Sequence, residues 1–338
     1  MSRNKLVVVG GGTGTHTILR GLKFYQEKLK LSAIVTMADS GGSTGRLRDE
    51  FGYLPVGDVR MALTALASDF DEHEELLREL FLYRFDKGEG LVGHNFGNLL
   101  LVALTDILGS EEEAIRAASK VLRVKGAVVP VTGEHVNLMA TYDDGVVITG
   151  EDNIDEPDGN RYNKKIKKLE ITPHAKISQR ARETLLTADF VVFGPGDLYT
   201  SILANCVVDG FAQTLADNHN AKLIYVSNLM TRAGQTDGFG VQEHILEIEK
   251  YIGRKLDYVV INSTPLPQDL LFKYEIANEF PVKDNLSDKS NNQSKIIRKD
   301  LLTTEIIKTV SGDTLRRSLI RHDSAKLSQQ IFEIINSL

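Results

Sequence analysis

The sequence LVVVGGGTGT, residues 6–15, decides the fold of this chain. It begins with a run of apolar residues that has no polar face, which is typical of a strand buried on both sides. The run stops at consecutive glycines, and apolar residues at helical spacing follow, namely Ile18, Leu19, Leu22 and Tyr25. The stretch therefore predicts a strand, a glycine turn and a helix.

The glycine turn is suited to an anion. Glycines let backbone N–H groups approach a ligand without a Cβ in the way, and the helix start adds unpaired N–H groups and the positive end of its dipole. A phosphate or diphosphate is therefore expected at Gly10, Gly11, Gly12, Thr13, Gly14 and Thr15. The spacing is not that of a dinucleotide fingerprint, because Thr15 takes the third glycine position, and it is not a P-loop. A tight turn that only packs the helix on the sheet is the structural alternative.

Further apolar runs at residues 31–39, 188–193, 221–227 and 256–262 end in polar or glycine-rich loops and alternate with helical patterns. This order predicts an α/β fold, a doubly wound and mostly parallel Rossmann-like sheet with helices on both faces. We expect a single domain over residues 1–338, in which roughly residues 123–175 form a small inserted β region with a period near two.

Three other segments complete the expected structure. Residues 151–161 predict an acidic solvated loop and residues 285–294 a polar loop. Residues 296–302 predict a strand, and residues 324–335 an amphipathic helix that docks on the sheet.

The loop after the second strand, ADSGGSTGRLR at residues 38–48, should lie at the same sheet edge as the glycine turn. Asp39 would hold a ribose hydroxyl or a metal there, unless it only shapes an Asx-turn. Its companions in a ligand site would be Ser40, Gly41, Arg46 and Arg48, since guanidinium groups bind phosphate well. Asp58, in PVGDVR, is expected to be the N-cap of the next helix or a ligand contact.

Two further groups of residues are binding candidates. In GHNFGN, residues 93–98, flanking glycines allow close approach to the polar side chains of His94, Asn95 and Asn98, although an isolated histidine is often structural. The other group follows later strands and comprises Gly194, Pro195, Gly196, Tyr199, Thr200 and Asn228.

Composition excludes several classes of protein. The net charge of −6 argues against a nucleic-acid partner, since phosphate contacts need clustered Lys and Arg. The single cysteine excludes a disulfide framework and a cysteine zinc site. No apolar run approaches the roughly 20 residues of a membrane span, and no signal peptide precedes the first strand, so we expect a cytoplasmic protein.

Six segments of the chain occur in the order typical of one family: VVVGGGTGT, ADSGGSTGRLR, PVGDVR, HNFGNLL, FGPGDLYTSI and NLMTRAGQTDG. By these segments the chain resembles the family that unites bacterial gluconeogenesis factors with the 2-phospho-lactate transferases of deazaflavin coenzyme biosynthesis. The resemblance runs from residue 7 to the end and is closer to the gluconeogenesis factors. Two departures weaken a metal site, because Ser40 stands where the family has a second acid and Gln235 where it has Glu.

The resemblance implies a regulator that binds UDP-sugars and is linked to gluconeogenic growth, cell wall synthesis and cell shape, with wall-synthesis or signalling proteins as partners. The alternative is a transferase that moves a phospho-lactyl-type group from a nucleoside diphosphate donor to an alcohol. In that enzyme Asp39 and Asp58 would be the catalytic candidates, and Asp39 would bind Mg²⁺ together with the diphosphate. An NAD(P)-dependent oxidoreductase is a third reading. The base, the sugar and the formation of a homodimer stay open.

Overall fold

A computed structural model of the chain describes residues 3–157, 161–286, 294–304 and 319–337. The strands are β1 (Asn4–Gly10), β2 (Leu29–Val35), β3 (Ala127–Pro130), β4 (Asn137–Tyr142), β5 (Val147–Thr149), β6 (Ile166–Thr172), β7 (Phe190–Phe193), β8 (Lys222–Val226), β9 (Tyr258–Asn262) and β10 (Lys295–Lys299). Most of the predicted polar loop at residues 285–294 lies outside the described residues.

The helices are α1 (Gly12–Leu22), α2 (Gly42–Phe51), α3 (Gly57–Leu66), α4 (Glu72–Leu82), α5 (Phe96–Leu108), α6 (Glu111–Val121), α7 (Glu151–Asp155), α8 (Gln179–Leu186), α9 (Ala204–Cys206), α10 (Phe211–Asp217), α11 (Val241–Ile252), α12 (Gln268–Glu275) and α13 (Ser324–Asn336). A π-helical turn, Leu198–Leu203, leads into α9. No helix in the described ranges is both long and apolar enough to cross a bilayer.

The large sheet has seven strands in the order β10-β9-β8-β7-β1-β2-β3, and all its neighbours pair in parallel. The chain builds outward from β1 to β3, then returns to the other side of β1 and builds outward from β7 to β10. The order therefore reverses between β1 and β7. Ligands of doubly wound sheets bind at such a switch point, beyond the carboxyl ends of the strands.

Both faces of the sheet are covered, as the apolar character of β1 requires. Leu6 and Val8 pack with α1, α3 and α13 on one face, whereas Val7 and Val9 join the core on the side of α8, α10 and α11. Strand residues alternate between faces, so a strand that is buried on both sides cannot carry a polar stripe. The predicted doubly wound α/β fold is confirmed.

A smaller antiparallel sheet, in the order β5-β4-β6, lies within the predicted insertion. The first predicted strand of that region, β3, pairs in parallel with β2 and belongs to the large sheet instead. The expectation of a solvated loop at residues 151–161 is wrong for residues 151–155, which form α7 and bury Ile154 in the core. The predicted strand near residue 296 and the helix near residue 324 are present as β10 and α13.

Helices α1 and α13 meet at Gly21. A Cβ at this position would lie 2.3 Å from the Ser324 carbonyl oxygen and 2.5 Å from Ser328 Oγ. We expect Gly21→Ala to destabilise the protein by about 1–3 kcal/mol, because α13 would have to move away from α1. Urea unfolding measures this change. Gly90→Ala is the matched control, since no atom lies within 4 Å of its added Cβ; equal stability of the two variants would contradict the close packing.

Candidate functional site

An open cleft of about 800 Å³ lies at the switch point, and we call it the ligand cleft. Its floor is formed by the turn after β1 and the turn after β7. A Cβ on Gly14 would be 2.1 Å from the Pro195 carbonyl oxygen and 2.9 Å from the Gly196 nitrogen, so the two turns touch through their backbones. Of the predicted residues, the cleft is lined by Gly11, Gly12, Thr13, Gly14, Pro195, Gly196 and Asn228.

The first turn of α1 is occupied in part by an acidic side chain. Asp58 Oδ1 accepts a hydrogen bond of 2.7 Å from the Gly12 N–H. The prediction that Asp58 is the N-cap of α3 is therefore wrong: α3 begins at Gly57, its N-cap is Val56, and Asp58 lies in the first turn. A carboxylate stabilised by a helix N-terminus shows that this turn accepts negative charge. Thr13 and Gly14 follow, where backbone N–H groups have no partner within the helix.

Five other candidates lie away from the open space. Thr15 is buried beneath the turn, and its Oγ1 has no hydrogen-bond partner within the described chain. Tyr199 and Thr200 are buried in the π-helical turn. Gly10 ends β1, and Gly194 begins the turn after β7 with a φ of +75° that favours glycine. These residues shape the two turns from within the core.

Asn228 links the loop after β8 to the floor of the ligand cleft. Its Nδ2 donates to the Gly196 carbonyl oxygen at 2.7 Å, and its Oδ1 accepts from the Tyr225 hydroxyl at 3.0 Å. The side chain is thus held in one orientation at the cleft wall, as a residue that positions a ligand requires.

Three carboxyl groups, Asp39, Asp58 and Glu151, lie together beside the turn, and we call them the carboxylate group. Burial and the neighbouring Asp39 raise the pKa of Asp58 to about 7. Burial, opposed by the Gly41 N–H at 3.0 Å, raises the pKa of Asp39. Burial and the charge of Asp39 raise the pKa of Glu151 well above its usual value. Arg60 is the cation that opposes the shifts of Asp39 and Asp58.

In the described part of the chain, no three Asp, Glu, His or Cys side chains form a set that could hold a metal alone. Magnesium, however, is commonly held by one or two carboxylates together with substrate phosphates and water. Asp39 and Asp58 provide two neighbouring oxygen donors whose mutual repulsion a cation would relieve. The residues present therefore fit a magnesium ion that arrives with a phosphate ligand.

A second ionic network closes another side of the ligand cleft. Arg232 donates to both carboxylate oxygens of Asp155 and, at 3.2 Å, to Glu279 Oε1. Gln235 Nε2 adds a bond of 3.1 Å to Asp155 Oδ1, so α7 is fixed to the loop after β8. Asp197 lies nearby, and burial followed by the charge of Asp155 raises its pKa to about 6.

Sequence reasoning named none of the charged residues of this network as site residues. The signal for Asp197 was its place directly after Gly196 at a strand end, and the signal for Arg232 was its place in the loop after β8. No local signal marked Glu151 or Asp155, whose partners are distant in sequence.

The two predicted phosphate-binding arginines are turned to protein partners. Arg46 is exposed and donates to the Val92 carbonyl oxygen at 3.1 Å, whereas Arg48 donates to Asn137 Oδ1 at 2.5 Å. Neither lines the ligand cleft. Ser40 instead connects to α7, because its Oγ accepts from the Asp152 N–H at 3.1 Å and its own N–H faces Glu151, whereas the Gly41 N–H donates to Asp39 Oδ1 at 3.0 Å.

His94, Asn95 and Asn98 form a buried layer behind the carboxylate group. His94 Nδ1 lies 3.2 Å from Ser43 Oγ, and Asn95 caps α5 by accepting from the Gly97 N–H at 2.9 Å. Asn98 Oδ1 accepts from Arg60 Nε at 2.8 Å. These side chains support the loop after β2, and they do not line the ligand cleft.

Comparison with known proteins identifies the relatives of this chain. Residues 6–302 match the family model described as 2-phospho-L-lactate transferase CofD. A putative gluconeogenesis factor of Thermotoga maritima is 39% identical over 98% of this chain and 99% of its own length. The gluconeogenesis factor of Bacillus subtilis is 34% identical over 98% of both chains. A crystal structure of a UPF0052 family member from Bacillus halodurans superposes with a TM-score of 0.86 at 34% identity, covering 98% of this chain and 99% of the other.

The raised pKa of Asp58 makes stability depend on pH. Between about pH 4 and about pH 7 the folded chain keeps a proton on Asp58 that the unfolded chain has lost, so the free energy of unfolding falls as pH rises. Asp58→Asn removes this decrease in the free energy of unfolding and keeps an oxygen acceptor for the Gly12 N–H. The stability gained by the variant over the wild type should grow with pH by up to about 1.4 kcal/mol per unit in this window.

Urea unfolding in the presence of a chelator, at several pH values, measures this difference. Asp49→Asn, an exposed carboxyl in α2, is the control and should show no such trend. A difference between Asp58→Asn and the wild type that stays constant with pH would contradict the buried, repelled carboxyl.

Proposed function

The chain belongs to the CofD family, and we propose that it binds a nucleoside diphosphate compound, a UDP-sugar, in the ligand cleft and acts as a cytoplasmic metabolic regulator. The observation that carries this proposal is the contact of two glycine turns at the switch point of the sheet. Small residues there leave room for an extended ligand and expose backbone N–H groups to it. The choice of UDP-sugars rests on the resemblance to gluconeogenesis factors.

The diphosphate would lie along the first turn of α1. Since Asp58 already accepts from the Gly12 N–H, the phosphate oxygens would bind to the N–H groups of Thr13 and Gly14. The turn after β7 faces the other side of the same space and would contact the nucleoside, with Asn228 donating or accepting at its rim. The sugar would then extend toward Thr231 and the Arg232 network.

The charges around the cleft indicate whether a diphosphate would bind with or without a cation. Asp197 and Glu279 line the cleft together with Arg232 and Arg321, and Arg232 is already paired with two acids. The carboxylate group lies behind the first turn of α1 and adds negative charge there. A diphosphate is itself negative, so its entry without a cation would be opposed by repulsion. We infer that Mg²⁺ accompanies the ligand, with Asp39 and Asp58 as its protein ligands; the ion would neutralise the phosphates and the two carboxylates together.

The regulatory role rests on the relatives. Their names describe a factor in gluconeogenesis rather than a reaction. By the same resemblance, the protein would respond to UDP-sugar levels and link central carbon metabolism to cell wall synthesis and cell shape through a protein partner. The ligand would then be bound and released unchanged.

A transferase is the second candidate, because the matching family model carries that name and the carboxylate group is beside the phosphate position. In that function Asp39 and Asp58 would hold Mg²⁺, and one raised-pKa carboxyl would accept the proton of an attacking alcohol. A phospho-lactyl-type group would pass to the alcohol oxygen as the bond to the departing nucleoside phosphate breaks.

The glycine turn can be tested with Gly12→Ala. Gly12 has a φ of +60°, and a methyl group there would project into the cleft, where its nearest neighbour is Ser201 Oγ at 4.0 Å. We expect UDP-N-acetylglucosamine to bind at least tenfold more weakly, because the turn is strained and the phosphate position is crowded. Isothermal titration calorimetry in magnesium measures the affinity.

Gly52→Ala is the matched control, because Gly52 has a φ of +70° at the end of α2 and no atom lies within 4 Å of its added Cβ. The Gly52→Ala protein should lose a similar amount of stability from backbone strain and keep its affinity for UDP-N-acetylglucosamine. Undiminished binding by a folded Gly12→Ala protein would show that the diphosphate lies elsewhere.

The magnesium dependence gives a second test. UDP-N-acetylglucosamine should bind at least tenfold more tightly with magnesium than with a chelator, and Asp39→Asn should remove most of that difference while Asp49→Asn keeps it. The reason is that Asp39 is buried next to Asp58, and the two carboxyl groups can both be ionised at low cost only beside a cation.

Analysis of each titrated mixture separates the two functions. Recovery of unchanged UDP-N-acetylglucosamine supports the regulator. Magnesium-dependent release of a nucleotide from a guanosine diphosphate donor in the presence of an alcohol, abolished by Asp39→Asn, would establish the transferase in its place. Tight binding of NAD or NADP without magnesium would argue against both.

A further inference from the structure

A second cleft lies beside the first, between α1 and the residues that lead into α13, and we call it the α1–α13 cleft. Its open volume is about 1630 Å³, against about 800 Å³ for the ligand cleft. Thr17, Arg321 and His322 line both clefts, whereas His16, Arg20 and Ser328 line only the second. It is therefore a neighbouring space with its own wall, reached along α1 from the glycine turn.

The wall of this cleft offers hydrogen-bond donors that the protein leaves unused. His16 and Arg20 are one turn apart on α1, and within the described residues neither makes a side-chain hydrogen bond or an ion pair. His322 is nine-tenths buried, and its Nε2 has no hydrogen-bond partner in the same residues. Buried polar groups normally have partners, so an unpaired ring nitrogen at a cleft wall points to a missing ligand.

The described lining of the α1–α13 cleft carries two arginines, Arg20 and Arg321, and one acid. Among its described lining residues Asp323 is the acid, and its carboxylate is engaged in capping α13, where it accepts from the Lys326 N–H at 2.9 Å. Burial, followed by the charges of Arg20 and three more distant cations, lowers the pKa of His16 to about 3. A positive potential of this kind favours an anion, and the neutral ring of His16 keeps one N–H donor for it.

The size and the lining of the cleft indicate which kind of anion it could bind. The space is large for inorganic phosphate alone, and Phe24 and Tyr25 provide aromatic surface at the end of α1. The hydroxyl groups of Thr17 and Ser328 also lie along the wall, but each already donates its proton to a backbone carbonyl oxygen, Thr17 to Thr13 and Ser328 to Ala325. The guanidinium of Arg20 and the imidazoles match the oxygens of a phosphate monoester, and the aromatic rings match an organic group attached to it.

We propose that the α1–α13 cleft binds a small organic phosphate, with its phosphate at Arg20, His16 and His322 and its organic part against Phe24 and Tyr25. The site is separate from the proposed UDP-sugar position. It requires neither magnesium nor the glycine turn, so it stands or falls independently of the proposed function.

Phenyl phosphate is the probe, because it combines a phosphate monoester with a planar ring, and benzyl alcohol is its neutral counterpart. Calorimetry with the full chain, in a chelator, should show saturable binding of phenyl phosphate and none of benzyl alcohol. Arg20→Ala should weaken phenyl phosphate at least tenfold, since it removes the exposed guanidinium of the site. Gly12→Ala should leave phenyl phosphate binding unchanged.

Arg116→Ala is the charge-matched control, because Arg116 is paired with Glu112 and Glu113 on α6, away from either cleft. It should bind phenyl phosphate within twofold of the wild type. The ring-proton signals of His16 in NMR spectra should also shift as the wild type is titrated, which would place the probe at α1. Absence of saturable binding, equal affinity in Arg20→Ala, or loss of binding in Gly12→Ala would each overturn the proposal.

Discussion

The contact between the backbones of Gly14 and Pro195 is the constraint on which the site depends. Any side chain at Gly14 would overlap the Pro195 carbonyl group, with its Cβ only 2.1 Å from the oxygen. This contact fixes the start of α1 against the turn after β7 and so joins the two halves of the sheet at the switch point. Glycine at position 14 is therefore required for packing, and the same contact fixes the turn at which we propose that the diphosphate binds.

The same turn explains why acidic groups can gather beside it. A helix N-terminus stabilises one negative charge, and Asp58 takes this place through the Gly12 N–H. Asp39 accepts from the Gly41 N–H and Glu151 faces the Ser40 N–H, but burial still raises the pKa of both carboxyl groups. Burial of several repelling carboxyl groups costs stability, and proteins retain such arrangements mainly at functional sites. The cost falls when a cation binds, which links the fold to its proposed ligand.

Sequence reasoning succeeded where the signal is local. Apolar runs such as that of β1 end in glycine or polar residues, and this pattern alone places the strand ends at one edge of a parallel sheet. It failed where the role of a residue depends on a partner that is distant in the sequence. Asp58 resembles an N-cap in its own segment, but its partner Gly12 is 46 residues away. The acidic composition of α7 resembles a solvated loop, whereas Arg232, 77 residues from Asp155, anchors it.

Helix α1 borders two clefts with different electrostatic environments. Its first turn is beside carboxyl groups, which the positive end of its dipole attracts, whereas Arg20 and the partly buried His16 face the α1–α13 cleft further along. A diphosphate accompanied by a divalent cation suits the first environment, and a phosphate without a metal suits the second. Because Arg321 and His322 contribute to the walls of both clefts, a ligand that orders these side chains from one side would alter the wall presented to the other.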